Sequence, residues 1–134
     1  MGRLKIYDDK GKLQNFDPSG NMIVTDVNAQ TNTLTVEQIV GGIIVHTSTS
    51  GAGNVTIDSA ANIISGFEGN GILQDIGDTI TCYYINDGSE ILTLIVDGDI
   101  TIADAGQTIA ANESALLIFR KTSATAVTVY SVGA

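Results

Sequence analysis

Few residues in this chain combine a reactive side chain with a spacing that could support chemistry. His46 is the single imidazole, and it follows Ile44-Val45 near the end of an apolar segment. No serine or cysteine lies in a nucleophile motif such as G-x-S-x-G. A lone histidine at a strand end is typical of a surface or interface residue, and it acts as a base only beside a partner group. We therefore predict no catalytic residue.

Asp97, Asp99 and Asp104 form the most clustered set of carboxylates. Calcium prefers oxygen ligands of this kind when they are carried on turns. The spacing does not match an EF-hand loop, which needs a glutamate at its twelfth position. Turn formation and solubility explain the same residues, so the sequence predicts no metal site and no cofactor.

Three further patterns also fail to indicate an enzyme. Fifteen carboxylates always include some pair at a workable separation for glycoside hydrolysis, and nothing singles one pair out. The loop Gly51-Ala52-Gly53 lacks the lysine and the long following helix of a phosphate-binding loop. Cys82 has no cysteine to pair with and lies in the apolar segment 80–85, where a small buried thiol is expected. The chain is therefore predicted not to be an enzyme.

Charge divides the chain into two unequal parts. Residues 1–12 carry four basic against two acidic side chains, whereas residues 13–134 carry two basic against thirteen acidic ones. The first part is therefore net +2 and the second net −11. A split of this kind suggests a protein that attaches by a basic N-terminal arm and presents an acidic body.

The acidic body also excludes some partners. A phosphate backbone would repel a chain with a pI near 4.1, so nucleic-acid binding is not expected. The longest apolar runs, residues 43–45 and 115–119, are far too short for a membrane span, and the charged N-terminus does not resemble a secretion signal. We expect a protein that folds in a cytosol and binds no membrane.

The N-terminal third is predicted to serve attachment. Residues 4–7 and 12–16 flank an Asp-Asp-Lys-Gly stretch, which resembles a hairpin closed at Gly11. Residues 21–37 are polar with scattered β-branched side chains, and we interpret them as an extended connector that lies on a partner. The predicted domains are therefore an arm and connector at 1–37 and a body at 38–134.

The body is predicted to be a β fold, because its segments are short, rich in Ile, Val and Thr, and separated by turn residues. Asp87-Gly88 and Asp97-Gly98 read as hairpin turns. One helix is predicted over 59–65, capped by Asp58 and ended by a left-handed Gly66. The candidate strands are 43–47, 54–57, 79–86, 91–96, 100–103, 107–109, 114–121 and 126–132.

Two of these strands have apolar side chains on both faces. Leu92, Leu94 and Val96 form one apolar row, yet Ile91 and Ile95 lie on the opposite side. In the strand 114–121, Leu116 and Ile118 likewise lie opposite the apolar pair Leu117 and Phe119. A small domain has one core, so the second apolar faces must be covered by something else, and we favour another copy of the chain. The predicted subunit interface consists of Ile91, Ile95, Leu116 and Ile118.

The stretches 35–67 and 75–133 resemble a β domain found in structural proteins of tailed bacteriophages. The resemblance rests on a Gly-Gly opening before an apolar strand, a capped helix, a Gly-Asp-Thr strand with an Asn-Asp-Gly turn, and a strand pair after Thr-Ile-Ala-Ala-Asn. The family includes head decoration (cement) proteins, head fibres and capsid-surface knobs. The resemblance covers about three quarters of the chain.

The resemblance implies a homotrimer whose N-terminal segment reaches over the major capsid protein. The expected fold is all-β, an antiparallel β-sandwich of jelly-roll or β-tulip type with one short helix and an extended N-terminal arm. The expected function is that of a capsid decoration protein on the outer surface of the virion. The alternative is a receptor- or carbohydrate-binding module of a head or tail fibre, with Tyr83 and Tyr130 lining a groove. The predicted capsid-docking residues are Arg3, Leu4, Lys5, Ile6, Tyr7, Lys10, Lys12 and Phe16.

Overall fold

The computed structural model describes residues 22–69, 75–103 and 107–133. All eight predicted capsid-docking residues lie outside these ranges. The described helices are α1 (Val36–Gly41) and α2 (Ala60–Glu68). The described strands are β1 (Ile23–Asn28), β2 (Thr31–Leu34), β3 (Gly42–Thr47), β4 (Gly53–Ile57), β5 (Thr79–Asn86), β6 (Leu92–Ile95), β7 (Ile100–Ile102), β8 (Thr108–Ile109), β9 (Ser114–Lys121) and β10 (Val127–Val132).

The strands form two sheets, and the chain moves from one sheet to the other at almost every step. The six-stranded sheet has the order β1-β3-β5-β9-β10-β7, and the four-stranded sheet has the order β2-β4-β6-β8. From β1 to β9 every successive strand therefore belongs to the opposite sheet; only β9 and β10 are consecutive strands in one sheet.

The chain from β1 to β6 consists of similar units, here called turns of the chain, that stack on one another. One turn is β1-β2-α1, the next is β3-β4-α2, and the third begins with β5-β6. Because each turn runs in the same direction, β1, β3 and β5 pair in parallel, and so do β2, β4 and β6. Thr25, Ile44 and Tyr84 are thereby aligned across three strands.

The predicted antiparallel β-sandwich is therefore wrong. The fold is mixed α/β: of the eight strand pairings in the described residues, five are parallel, and two short helices are present. The physical reason is that parallel strands need a crossover between them, and here the crossover passes through the other sheet and a helix. The alternation of side chains predicts strands but does not reveal which strands are neighbours.

Both predicted hairpin turns instead connect the two sheets. Asp87-Gly88 lies between β5 and β6, and Asp97-Gly98 lies between β6 and β7, and in each case the flanking strands belong to different sheets. Neither Gly88 nor Gly98 adopts a positive φ. The second turn does close tightly, since the Ile100 amide donates to the Asp97 carbonyl at 3.2 Å. Turn-forming residues predict a change of direction, which an arch between sheets needs as much as a hairpin does.

The helix α1 was missed by the sequence analysis. Its N-cap, Thr35, accepts a hydrogen bond from the Gln38 amide, and Gly42 ends the helix in the left-handed region with φ +99°. A Thr-x-x-Gln spacing is a capping-box signal, so the sequence did contain a marker. Residues 23–34 form β1 and β2 in the described structure. The assignment of residues 1–37 to docking stays a prediction.

The predicted helix at 59–65 is present but longer, because α2 runs to Glu68. Its N-cap is Ser59, whose side chain accepts from the Asn62 amide, while Asp58 accepts from the Ser59 amide at 2.8 Å. Gly66 lies inside the helix and not at its end. A Cβ at Gly66 would lie 2.7 Å from Cγ2 of Val36, so the glycine allows α1 and α2 to approach closely.

The core combines inward-facing strand residues with the buried side of α2. Ile63, Ile64 and Phe67 of α2 are buried, as are Tyr84 and Phe119 from the six-stranded sheet. Leu34, Ile57 and Leu92 contribute from the four-stranded sheet. No helix within the described residues is long and apolar enough to cross a membrane.

Candidate interaction surface

The histidine that could have been a catalytic base is fully buried. His46 lies on the inner side of β3, with its Nε2 at 2.7 Å from the Ala29 carbonyl oxygen and its Nδ1 at 2.8 Å from the Tyr84 hydroxyl. Because a carbonyl oxygen can only accept, Nε2 carries a hydrogen, and in the neutral ring Nδ1 accepts from the Tyr84 hydroxyl. Both ring nitrogens are thus engaged. The expectation of a surface or interface histidine is wrong, and His46 has a structural role.

Tyr84 extends this contact into a buried polar network. Its hydroxyl accepts from Asn32 Nδ2 at 3.1 Å, and Asn32 exchanges two hydrogen bonds with the side chain of Gln38 in α1. Burial raises the pKa of the Tyr84 phenol above its ordinary value, although the Asn32 hydrogen bond partly opposes this. The network joins β2, β3, β5 and α1, and it satisfies polar groups that would otherwise be costly to bury.

Asn86 forms a second buried polar centre that the sequence analysis did not identify. Its Nδ2 lies within 2.7–3.2 Å of the carbonyl oxygens of Glu90, Ile109 and Ala110, and its Oδ1 accepts from the Gly88 amide. The side chain therefore holds the β5–β6 connection against β8. Its position at the end of a strand and directly before Asp-Gly was the available sequence signal, since Asn commonly bonds to nearby backbone in turns.

The remaining chemical candidates do not come together. Asp97 and Asp99 are exposed, and Asp104 lies outside the described ranges. Across residues 22–69, 75–103 and 107–133, no group of three or more His, Cys, Asp or Glu side chains could hold a metal ion. Burial raises the pKa of the Cys82 thiol to about 12, so this side chain is overwhelmingly a neutral thiol near pH 7.

A shallow groove of about 330 Å³ lies on the four-stranded sheet beside the start of α2. Thr33, Thr56 and Ile95 are adjacent across β2, β4 and β6. Asp58, Ser59 and Asn62 complete one wall, but all three are already bonded to one another or to the helix backbone. None of the described residues that line the groove is aromatic, and sugar platforms usually need an aromatic side chain.

The outer face of the six-stranded sheet is the most distinctive surface of the body. Directly paired residues point to the same side of a sheet. The strand register therefore produces one apolar row that crosses five strands: Val24, Ile43, Tyr83, Leu116 and Val132.

Apolar side chains also continue on both sides of this row. On one side Val45 and Ile85 are paired, and on the other Ile118 is paired with Tyr130. These residues are not among the partly buried side chains that pack against the core. Val24 and Val132, at the two ends of the row, are each 52% exposed, and Tyr83 near its middle is 48% exposed. Ile43, Leu116 and the four flanking side chains are partly buried. Among the described residues, the fold thus leaves a continuous, partly exposed apolar surface.

The four residues predicted as a subunit interface lie on two different surfaces. Leu116 and Ile118 lie on this outer face of the six-stranded sheet. Ile95 lies in the groove of the four-stranded sheet, and Ile91 immediately precedes β6 with 43% of its surface exposed. Alternation along each strand correctly separated the outward side chains from the inward ones, but it could not show that the outward sets belong to separate sheets.

Comparisons of the chain with protein-family models, with curated proteins and with solved structures found no match.

Proposed function

We propose that this protein is a capsid decoration protein, which binds the outer surface of an icosahedral phage head as a homotrimer and stabilises it. The observation that carries the proposal is the combination of a basic N-terminal segment with an acidic body that has a partly exposed apolar sheet face. The sequence resemblance to phage head proteins supports the same function. Under this proposal the partner is the major capsid protein, and the protein acts by binding alone.

Attachment would be multivalent. Arg3, Lys5, Lys10 and Lys12 would meet acidic capsid surface, and the main chain of residues 4–7 would add as a strand to a capsid sheet. Exposed ion pairs are each worth less than about 1 kcal/mol. Three arms on one trimer act at high effective concentration, so weak individual contacts combine into stable attachment.

Deletion of residues 1–16 tests the proposal. We expect the shortened protein to keep its fold and its oligomeric mass but to lose binding to purified heads that lack decoration, measured by co-sedimentation. The full-length chain with Ile6→Pro separates the two kinds of contact, because proline removes a main-chain donor and leaves every charge in place. Binding that weakens with added salt identifies ion pairs, whereas salt-independent binding that Ile6→Pro abolishes identifies strand addition. A shortened protein that still decorates heads fully would refute the role of the arm.

A receptor- or carbohydrate-binding module is the second candidate, favoured by the exposure of Tyr83 on the same face as Tyr130. Exposed tyrosines commonly stack against sugars. Saccharide-array binding that is lost in a Tyr83→Ala variant, together with no binding to heads, would favour this alternative over decoration.

A further inference from the structure

We infer that the outer face of the six-stranded sheet is covered by further copies of this chain. The inference deepens the proposed function by naming the surface through which the subunits associate. It follows from the strand register and from the distribution of charge. It assigns the subunit contact to the six-stranded sheet and not to the groove on the four-stranded sheet.

The face has the layout of a protein–protein interface. Its centre is the apolar row from Val24 to Val132 with its apolar neighbours. Its border on one side is the polar row Thr79, Arg120, Thr128 and Thr101, and on the other side Asn28 pairs with Thr47. An apolar centre with a polar rim is typical of specific interfaces. Isolated exposed apolar residues need no explanation, but a contiguous patch of this kind does.

The size of the face suits a stable contact between subunits. The six strands range from three to eight residues in length, and at about 3.3 Å per residue and about 4.8 Å between strands they give a surface of about 600 Å². Specific interfaces bury about 800 Å² on each partner. The whole face, rim included, therefore lies at the lower end of the size range of specific interfaces, which is about 600–1,000 Å² per partner.

The scarcity of charge on this face indicates a second copy as the occupant, because acidic copies can meet there with little repulsion. The described residues carry eleven acidic against two basic side chains, and one of the two basic ones, Lys121, is buried beside Glu68 at 2.8 Å. Among the described residues, the charged side chains on the outer face of the sheet are Asp26, which pairs with Val45 beside the apolar row, and Arg120, which lies in the polar border row. A partner must therefore offer a largely apolar surface with little charge, and the same face of another copy does so.

The groove on the four-stranded sheet provides a matched control position for testing this inference. Ile95 is 41% exposed, close to the exposure of Tyr83, but it lies on the other sheet. An aspartate at Leu116 would place a charge in the apolar row, whereas an aspartate at Ile95 would place the same charge outside the face. Tyr83→Asp serves as a second variant, because an exposed position tolerates the change without loss of the fold.

The experiment is sedimentation-velocity analysis of the full chain at micromolar concentration, with circular dichroism to verify folding. We expect the wild type and Ile95→Asp to share one oligomeric mass, and Leu116→Asp and Tyr83→Asp to be folded monomers. A monomeric wild type would overturn the inference. So would retention of the oligomer in folded Tyr83→Asp, or its loss in Ile95→Asp.

Head binding distinguishes a failure of this inference from a failure of the proposed function. A wild-type oligomer that dissociates on Tyr83→Asp but never binds heads supports the interface and refutes capsid decoration. A protein that is monomeric in solution and still decorates heads refutes the interface and leaves decoration standing.

Discussion

Tyr84 is the residue through which the buried polar network is connected, because its hydroxyl bonds to both His46 and Asn32. The neighbouring Tyr83 points to the opposite side of β5 and is exposed. Two adjacent tyrosines therefore differ completely in surroundings, which makes them a matched pair for measuring the contribution of one hydroxyl group.

Tyr84→Phe removes that hydroxyl and leaves His46 Nδ1 without its hydrogen-bond donor in the interior. We expect the free energy of unfolding to fall by about 1–3 kcal/mol, the usual cost of leaving a buried polar group unsatisfied. Tyr83→Phe should change it by less than about 0.5 kcal/mol, because Tyr83 lies outside the buried network and loss of its hydroxyl leaves no member of that network unsatisfied. Urea denaturation of both variants measures the difference, and equal effects would contradict the role of the network.

At the residue scale, the sequence pattern indicated which face of a strand a side chain lies on, but not which residues it bonds to. The alternation of Ile44 and His46 placed both on one side of a strand, which was a signal for burial of His46. Its partners, Ala29 and Tyr84, are 17 and 38 residues away. No local pattern connects positions so distant, so the network could not be predicted.

At the scale of elements, strands were predicted well and their arrangement was not. The predicted strands 79–86 and 114–121 match β5 and β9 residue for residue. The strands β1 and β2 were taken for a connector because their composition is polar. Parallel neighbours share no hairpin signal, so the sequence carries no local marker for the pairing of β1 with β3.

The contact between the two helices leads to a specific expectation. Gly66→Ala should raise the helix propensity of α2 by about 1 kcal/mol, but the new Cβ would clash with Val36, a β-branched residue with little freedom to move. We expect the clash to dominate and to destabilise the protein by about 1–3 kcal/mol.

The double variant Gly66→Ala/Val36→Ala removes the obstructing methyl groups and should recover part of the loss. Thermal unfolding monitored by circular dichroism compares the two variants with the wild type. A Gly66→Ala protein that is more stable than the wild type would show that the helices have room to separate at no cost.

At the scale of the whole molecule, the net charge of −9 affects the two proposed interactions in opposite directions. Copies of the acidic body repel one another, and salt screens that repulsion. Ion pairs between basic arms and an acidic capsid are weakened by the same screening.

Self-association should therefore strengthen as salt is added, while arm-mediated head binding through ion pairs should weaken. Sedimentation velocity and head co-sedimentation across one salt series test both trends on the same preparation. Self-association that weakens with salt would point to ion pairs, and not apolar burial, as the main attraction between subunits.

The alternation of strands between the sheets has a consequence for folding. The strands of the two sheets are interleaved along the chain, because the segment between β1 and β3, or between β3 and β5, includes a strand of the opposite sheet. The parallel pairs also join residues about 19 to 40 positions apart, and such non-local contacts slow folding. The two sheets are therefore joined by the chain at every step from β1 to β9. A single cut in the β3–β4 loop would leave two fragments that each still contribute strands to both sheets.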